Sequence, residues 1–353
     1  MEAVTAGNVD EAEYVGFLDG FGARRGAALA YHYPFYLRFL ADIVYPGSRL
    51  RFVSARDPSG VLMGMMPALH VRTRHLNVWL SLAYFGPNGG ALVRDAGVVP
   101  EPAVVTALTR AATVDACGLG CGSMTIYTPL GADAAPYREG LGGADFDVRR
   151  TAQVMPIPAD AGQSPWPRKV RYDIRRAAAM GVSVRPMGHE GDLEAVWSIY
   201  RDTCQDLGIP VKPLDHLRCL YRTARERGVF LAAEHEGEIV GGLVAFVGGG
   251  VLSYYLPCTR PDKRPLQPGL ALLDRAVAGA RGAGGRLLNF EGSPGVDSSV
   301  FRFKERCGGQ PVDYRVLVKL LRPGVLEGYR ALSCEGLTRE APQAFIVPFE
   351  ALA

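Results

Sequence analysis

The chain has 353 residues, 48% of them hydrophobic and 21% charged, and 39 Lys and Arg against 36 Asp and Glu leave a net charge of +3. That length exceeds what one hydrophobic core usually covers and points to two domains, while the apolar fraction excludes a mainly disordered chain. The near-balance of charge excludes a protein that wraps nucleic acid through its overall field and leaves only a local basic patch for such contacts.

Seven cysteines are scattered along the chain. Only Cys117 and Cys121 lie close together, and no matching His or Cys pair follows, so no metal site is expected and a reduced, cytoplasmic protein fits best. Met1 to Asp10 lacks the basic-then-apolar pattern of a signal peptide. The stretch Ile239–Thr259 carries no charge and is long enough to span a bilayer. Gly241, Gly242 and the run Gly248-Gly249-Gly250 interrupt it, which reads as two apolar strands around a glycine turn and no membrane span.

In chain order, helical patterns cover Val9–Phe17 and Pro34–Val44. A hairpin follows, Leu50–Ala55 and Val61–Val71 around the turn Asp57-Pro58-Ser59-Gly60. Asn77–Tyr84 reads as a strand running into the turn Gly86-Pro87-Asn88-Gly89-Gly90. Pro102–Cys117 is helical, then a glycine break leads to the strand Ser123–Tyr127. The second half repeats this order. Pro167–Met180 is a helix, Val182–Arg185 a short strand, and Leu193–Leu207 and Leu214–Arg227 are helices. Strands Val229–Ala233, Ile239–Val247 and Val251–Leu256 precede the helix Gly269–Arg281 and the strand Arg286–Phe290. The chain after Leu321 reads as a tail.

The two passes are alike in detail. Gly60 and Gly64 follow Asp57 as Gly237 and Gly241 follow Glu236, and Ala112–Tyr127 parallels Ala276–Glu291. A period of about 165–180 residues is too long for a solenoid and indicates a duplicated domain. The element order is that of an α/β layer with a mixed central sheet flanked by helices. The expected domains are 1–160 and 161–325, with a tail at 326–353.

Three passages are similar to segments of the Fem-type (FemAB-like) aminoacyltransferases, which double the GNAT acyltransferase fold within one chain. They are the basic run from Arg168 through Ala177 to Met180-Gly181-Val182, the segment Phe301-Arg302-Phe303-Lys304-Glu305-Arg306-Cys307-Gly308-Gly309, and the glycine turn at Gly86–Gly90. The element order matches from about Pro34 to Leu321. The resemblance implies two tandem GNAT-like domains and an enzyme that forms an amide bond. Its donor would be an aminoacyl-tRNA and its acceptor the amine of a small metabolite or a peptide precursor, with no metal and no redox cofactor.

Amide formation from an activated acyl group needs a deprotonated amine, a positioned carbonyl, charge or N–H donors for the oxyanion, and release of the leaving group. Lys304 falls on the family's functional lysine and would stabilise the oxyanion or protonate the leaving ribose oxygen, with Phe303 beside the acyl group. The alternation of Arg302, Lys304 and Arg306 with Phe301 and Phe303 also reads as an ordinary amphipathic segment. Glu291 is the candidate base for the amine, directly or through water. Asn289 shares its strand face, being two residues away. Tyr254 or Tyr255 should face the acceptor cleft, and Tyr84 should line it from the first domain.

The coenzyme A cradle of GNAT enzymes should lie between Pro257 and Gly269, where amides at a helix N-terminus hold the pyrophosphate. Four prolines there remove four N–H donors, and no Gly-x-Gly occurs. Lys263 and Arg264 remain as side-chain charges for phosphates. On the helix from Arg168, the residues Arg168, Arg171 and Arg175 share a face, and with Lys169 they form a candidate contact to the tRNA backbone. Asp206 stands where cell-wall Fem enzymes carry an Arg, and the long coiled-coil insertion of some members is absent, which favours a smaller acceptor on an antibiotic-like pathway. A coenzyme A-dependent N-acyltransferase, taking acetyl-CoA or another acyl-CoA, is the alternative, and a non-catalytic GNAT-like binding protein the next. A monomer is expected.

Overall fold

The computed structural model describes residues 5–20, 28–82, 89–94, 101–293 and 295–353. Its contacts divide the chain into two units, Met1–Ala152 with Val312–Ala353, and Gln153–Pro311.

The first unit opens with β1 (Thr5–Asn8), α1 (Glu11–Asp19) and α2 (Pro34–Arg38). Asp10 starts α1 by accepting the N–H of Glu13 at 2.9 Å, which satisfies one of the orphan donors of a helix N-terminus. β2 (Arg49–Arg56) and β3 (Leu62–Arg72) form the expected hairpin. Asp57 organises its turn by accepting from the amides of Ser59 and Val61, both at 2.9 Å. β4 (Asn77–Leu80) and the short β5 (Leu92–Val93) each pair with β3. α3 (Glu101–Gly118) then leads to β6 (Ser123–Tyr127), α4 (Ala135–Leu141) and β7 (Phe146–Pro156). Val104, Leu108, Ala112 and Ala116, each four residues from the next, bury one stripe of α3 against Val53, Met66 and Met124. β4 and β6 run parallel, Val78 opposite Ser123 and Leu80 opposite Thr125.

The second unit contains α5 (Arg168–Ala179), β8 (Ser183–Pro186), α6 (Glu190–Leu207) and α7 (Leu214–Thr223). β9 (Gly228–His235), β10 (Glu238–Gly248) and β11 (Val251–Thr259) follow, then α8 (Pro268–Gly282), β12 (Leu287–Gly292) and α9 (Ser299–Arg306). β8 to β11 are antiparallel neighbours, and β12 joins β11 in parallel. The uncharged stretch Ile239–Thr259 is thus the β10–β11 hairpin. Among the described residues no helix is long and apolar enough to cross a membrane. Leu270, Leu273, Val277 and Ala280 of α8 pack on Leu243, Ala245, Leu252 and Leu288.

The chain returns to the first unit from Val312. β13 (Gln310–Leu320) pairs with β6 in antiparallel fashion, Val316 opposite Tyr127 and Leu320 opposite Ser123. α10 (Val325–Glu340), kinked at Ser333, belongs to the same unit. The stretch read as a tail is therefore anchored: the Tyr329 and Ser123 hydroxyls share a bond of 2.7 Å, Thr125 donates to the Phe345 carbonyl at 2.8 Å, and Tyr45 donates to that of Pro342 at 2.7 Å.

Candidate active site in the second unit

The parallel ladder of β11 and β12 runs only from Val251 opposite Leu287 to Ser253 opposite Asn289, although both strands continue. The strands therefore part beyond that pair. Alternation sorts the residues there onto two faces. Leu252, Tyr254, Leu288 and Phe290 join the unit's core, with the rings of Tyr254 and Phe290 edge to face at 5.8 Å. Ser253, Tyr255 and Asn289 take the other face. Of the two candidate tyrosines, Tyr254 is thus a core residue, and burial drives its phenol pKa far above the ordinary value. Tyr255 faces the polar side, its ring edge to face with that of Phe246 at 5.1 Å.

Asn289 and Glu291 are both fully buried, and they are bonded to each other. Asn289 Nδ2 donates to Glu291 Oε1 and the Glu291 amide donates to Asn289 Oδ1, each at 2.9 Å. Glu291 holds φ at +62°, a left-handed conformation that costs a non-glycine residue about 1–3 kcal/mol unless its surroundings fix it. Those surroundings include Lys304. Its ammonium donates to the Glu291 carbonyl at 3.1 Å, the Gly292 carbonyl at 2.6 Å and Ser293 Oγ at 3.0 Å. All three N–H groups of the lysine are thereby used. Only 3% of Lys304 is exposed, and that burial brings its pKa down to about 8 even though the Glu291 carboxylate pulls it the other way.

Local sequence explains why Lys304 sits so firmly. Ser298 caps α9 by accepting the Phe301 amide at 3.1 Å. Gly308 and Gly309 stop the helix: the Gly308 amide reaches the Glu305 carbonyl at 2.8 Å and the Gly309 amide reaches the Lys304 carbonyl at 2.9 Å. This paired 5→2 and 6→1 pattern needs a left-handed residue first, and Gly308 has φ +93°. A Cβ on Gly309 would lie 2.9 Å from the Lys304 carbonyl oxygen, so the second glycine is required by close approach. The Phe-Lys-x-x-x-Gly-Gly pattern is thus a helix stop that fixes the lysine's backbone. Phe303 packs on the unit's core and lies 5.7 Å beneath the Arg306 guanidinium.

The remaining candidates lie on two other surfaces of the unit. On α5, Arg168, Lys169, Arg171 and Arg175 are exposed, and no carboxylate pairs with any of them among the described residues, while Val170 and Ala177 bury the opposite face. The turn at Gly308 abuts Pro167, so the start of this basic helix adjoins the end of α9. Lys263 and Arg264 lie on the 3-10 turn Pro261–Leu266 ahead of α8. Lys263 is 3.9 Å from Glu236, and Arg264 is exposed. Gln267 precedes α8 in a left-handed conformation with no side-chain cap, and Pro268 removes the first helical N–H. Tyr84 and most of the Gly86–Gly90 turn lie outside the described residues.

Three contributors to this polar face carry no motif. Ser293 is the lysine's third acceptor. Ser253 Oγ is buried and meets no hydrogen-bond partner among the described residues. Lys212, 7% exposed, holds its ammonium 5.8 Å over the Tyr255 ring, and burial brings its pKa down to about 8. The sequence signal for Lys212 is a lone cation inside the apolar, proline-bracketed run Ile209-Pro210-Val211-Lys212-Pro213.

Comparison with known proteins agrees with this fold. Residues 167–305 match the family described as "Acetyltransferase (GNAT) domain". No curated protein matches the sequence. Among solved structures, the crystal structure of FemX is similar with a TM-score of 0.67 and 12% identity, over 88% of this chain and 96% of that one. A tandem GNAT protein from the clavulanic acid biosynthesis pathway gives 0.55 and 14%, over 91% and 99%. L-PGS from Bacillus licheniformis gives 0.54 and 14%, over 95% and 98%. The chain has the Fem-like double GNAT fold, a mixed sheet flanked by helices, and its second unit is of the acyltransferase class.

Proposed function

We propose that this protein forms an amide bond by moving an aminoacyl group from an aminoacyl-tRNA onto the amine of a small metabolite or peptide precursor. The observation that carries the reading is a nearly buried lysine, with its pKa drawn down to about 8, tied to the end of β12 where the sheet opens. Keeping an ammonium in such a place is costly and gives nothing to the core, and perturbed cations of this kind cluster at functional sites. Ser253 Oγ, buried beside Asn289 and without a hydrogen-bond partner among the described residues, supports the same location.

In this reading the amine nitrogen bonds to the ester carbonyl carbon and the bond from that carbon to the ribose oxygen breaks. Glu291 takes a proton from the amine, directly or through water, and Lys304 gives one to the departing oxygen. Transfer of that proton from Glu291 to Lys304 restores the starting state, so no charge accumulates. Ser293 is the acceptor that Lys304 can release most easily, because a hydroxyl can turn and donate in its place. Asn289 holds the Glu291 carboxylate in position.

The donor assignment is supported by the turn before α8, whose prolines leave few amides for the pyrophosphate of a coenzyme A thioester. The exposed cations of α5, which no carboxylate pairs among the described residues, suit the backbone of a tRNA. A coenzyme A-dependent N-acyltransferase is the second reading, favoured by the description of the matching domain. Measuring amide product with mixed charged tRNA and with acetyl-CoA, each with and without RNase, separates the two. RNase-sensitive product is expected. If neither donor turns over and Lys304→Ala leaves ligand binding intact, a binding role replaces catalysis.

A further inference from the structure

A second site lies wholly within the first unit, at the end of the sheet where β4 and β6 begin. A cavity of about 450 Å³ is lined there by Arg72 at the end of β3, by Arg74 and His75 from the β3–β4 connection, by Arg322 after β13, and by Gly324 and Val325 at the start of α10. That volume falls within the range of small-ligand pockets. None of the three guanidiniums has an ion-pair or hydrogen-bond partner among the described residues. They contrast with Arg51 of the same unit, which is paired with Asp115.

The walls are fixed independently of the arginines. Thr73 closes the β3–β4 turn, its amide donating to the Leu76 carbonyl at 2.8 Å and its hydroxyl accepting the Leu76 amide at 3.1 Å. Asn77 Nδ2 donates to the Gly120 carbonyl at 2.9 Å, and Tyr329 is tied to Ser123. Arg72, Arg74 and Arg322, all exposed, thus line one bowl from two segments, and an anion joining them would offset the like charge gathered there. Among the described residues no carboxylate lines the bowl. Glu327 stands in the same first turn of α10, its carboxylate 4.0 Å from where a Cβ on Gly324 would sit, and it pairs with none of them. α10 adds an N-terminus with no side-chain cap, behind Gly324 at φ +73°. Its free amides and dipole favour the same charge as the guanidiniums.

We infer that this bowl is a phosphate site, taking the oligophosphate group of a nucleotide-sized anion. Guanidiniums grip phosphate oxygens in pairs, and a bowl of this volume holds a compact phosphate group better than an extended chain. The inference is independent of the proposed transfer reaction, because it concerns the other unit and is read by binding alone.

The test is calorimetric titration of the full chain with inorganic triphosphate, with ATP and with a short uncharged-end RNA oligonucleotide, for the wild type, Arg322→Glu and Arg72→Glu. Both residues are exposed, so unchanged melting curves should confirm that the variants fold. Saturable binding is expected that weakens at least tenfold in each variant and weakens further as salt rises. Glu327→Gln is expected to tighten it about twofold to fivefold. Loss in the ATP arm identifies a free nucleotide as the source of the phosphate, and loss in the RNA arm identifies a nucleic-acid backbone. Binding of no probe, or equal binding by the wild type and both charge-reversed variants, overturns the assignment.

Discussion

β6 of the first unit and β12 of the second hold the same place in their sheets, each the parallel partner reached after a long helix and a glycine break. Their polar residues meet opposite fates. On β6, the hydroxyls of Ser123 and Thr125 are taken up by Tyr329 and by the Phe345 carbonyl, so the returning C-terminal segment closes that strand with neutral partners. On β12, Asn289 and the Glu291 carboxylate are buried with an ammonium beside them, and Glu291 itself holds a left-handed backbone conformation. Neutral, satisfied hydroxyls are what stability alone would choose; a buried charge cluster at the opening of a sheet is what chemistry requires. In the proposed reading, the β12 copy carries the reactive face, while β6 is closed by neutral partners.

The comparison breaks most visibly at Lys304. Lys304→Ala should lower amide formation on the order of 10³-fold or more, the scale expected for removing a general acid or an oxyanion donor. A single-turnover assay at fixed donor concentration reads this, and a loss below tenfold would make the lysine structural. The rate should also fall as pH rises through about 8, where the ammonium loses its proton. That falling limb should vanish in the variant's residual activity.

Stability against pH sharpens the same contrast. Lys212 and Lys304 have folded pKa values near 8, below the ordinary lysine value of 10.5. Between those values the unfolded chain holds protons that the folded chain has shed, so stability should rise with pH across that window. Lys212→Met should flatten part of the rise and stabilise the protein at neutral pH by up to about 3 kcal/mol, the size of such a shift. Denaturant melts at pH 7 and pH 10 measure both effects, and an unchanged slope would mean that the lysine stays charged.

On the first unit the expected effect is smaller and purely structural. Tyr329→Phe removes one hydrogen bond to Ser123 and should cost about 1 kcal/mol, without changing the rate of amide formation at saturating substrate. A large drop in rate would mean that the first copy also shapes the chemistry. The smallest change is on α5: Arg171→Ala should weaken charged-tRNA binding a few-fold and reduce the slope of log affinity against log salt by about one. An unaltered salt slope would remove Arg171 from the RNA surface.

Much of this was readable from the residues. The apolar spacing of α3 and α8, the Asp-Pro-Ser-Gly turn and the glycine-split run of β10 and β11 each contain their own geometry. β7 and β13 escaped notice because their alternation carries charges such as Arg149, Asp313 and Arg315, which pair across the sheet and exist as partners only after folding. In the Phe301–Arg306 segment, aromatic and basic residues alternate with a period of two, yet it folds as a helix, since the Ser298 cap and the Gly308-Gly309 stop outweigh the pattern. Tyr254 and Tyr255 cannot be phased without the opposing strand. Lys212 has only a faint signal in sequence, a lone cation in a proline-bracketed apolar run, and its burial against Tyr255 exists only after folding.

The central claim is that the second unit transfers an aminoacyl group with the buried lysine at the opening of β11 and β12. Its most direct test is mass-spectrometric detection of amide product from an amine library with mixed charged tRNA, in wild type and Lys304→Ala, with and without RNase. The account predicts product in the wild type alone, abolished by RNase. RNase-resistant product from an acyl-coenzyme A, or undiminished product from Lys304→Ala, would contradict it.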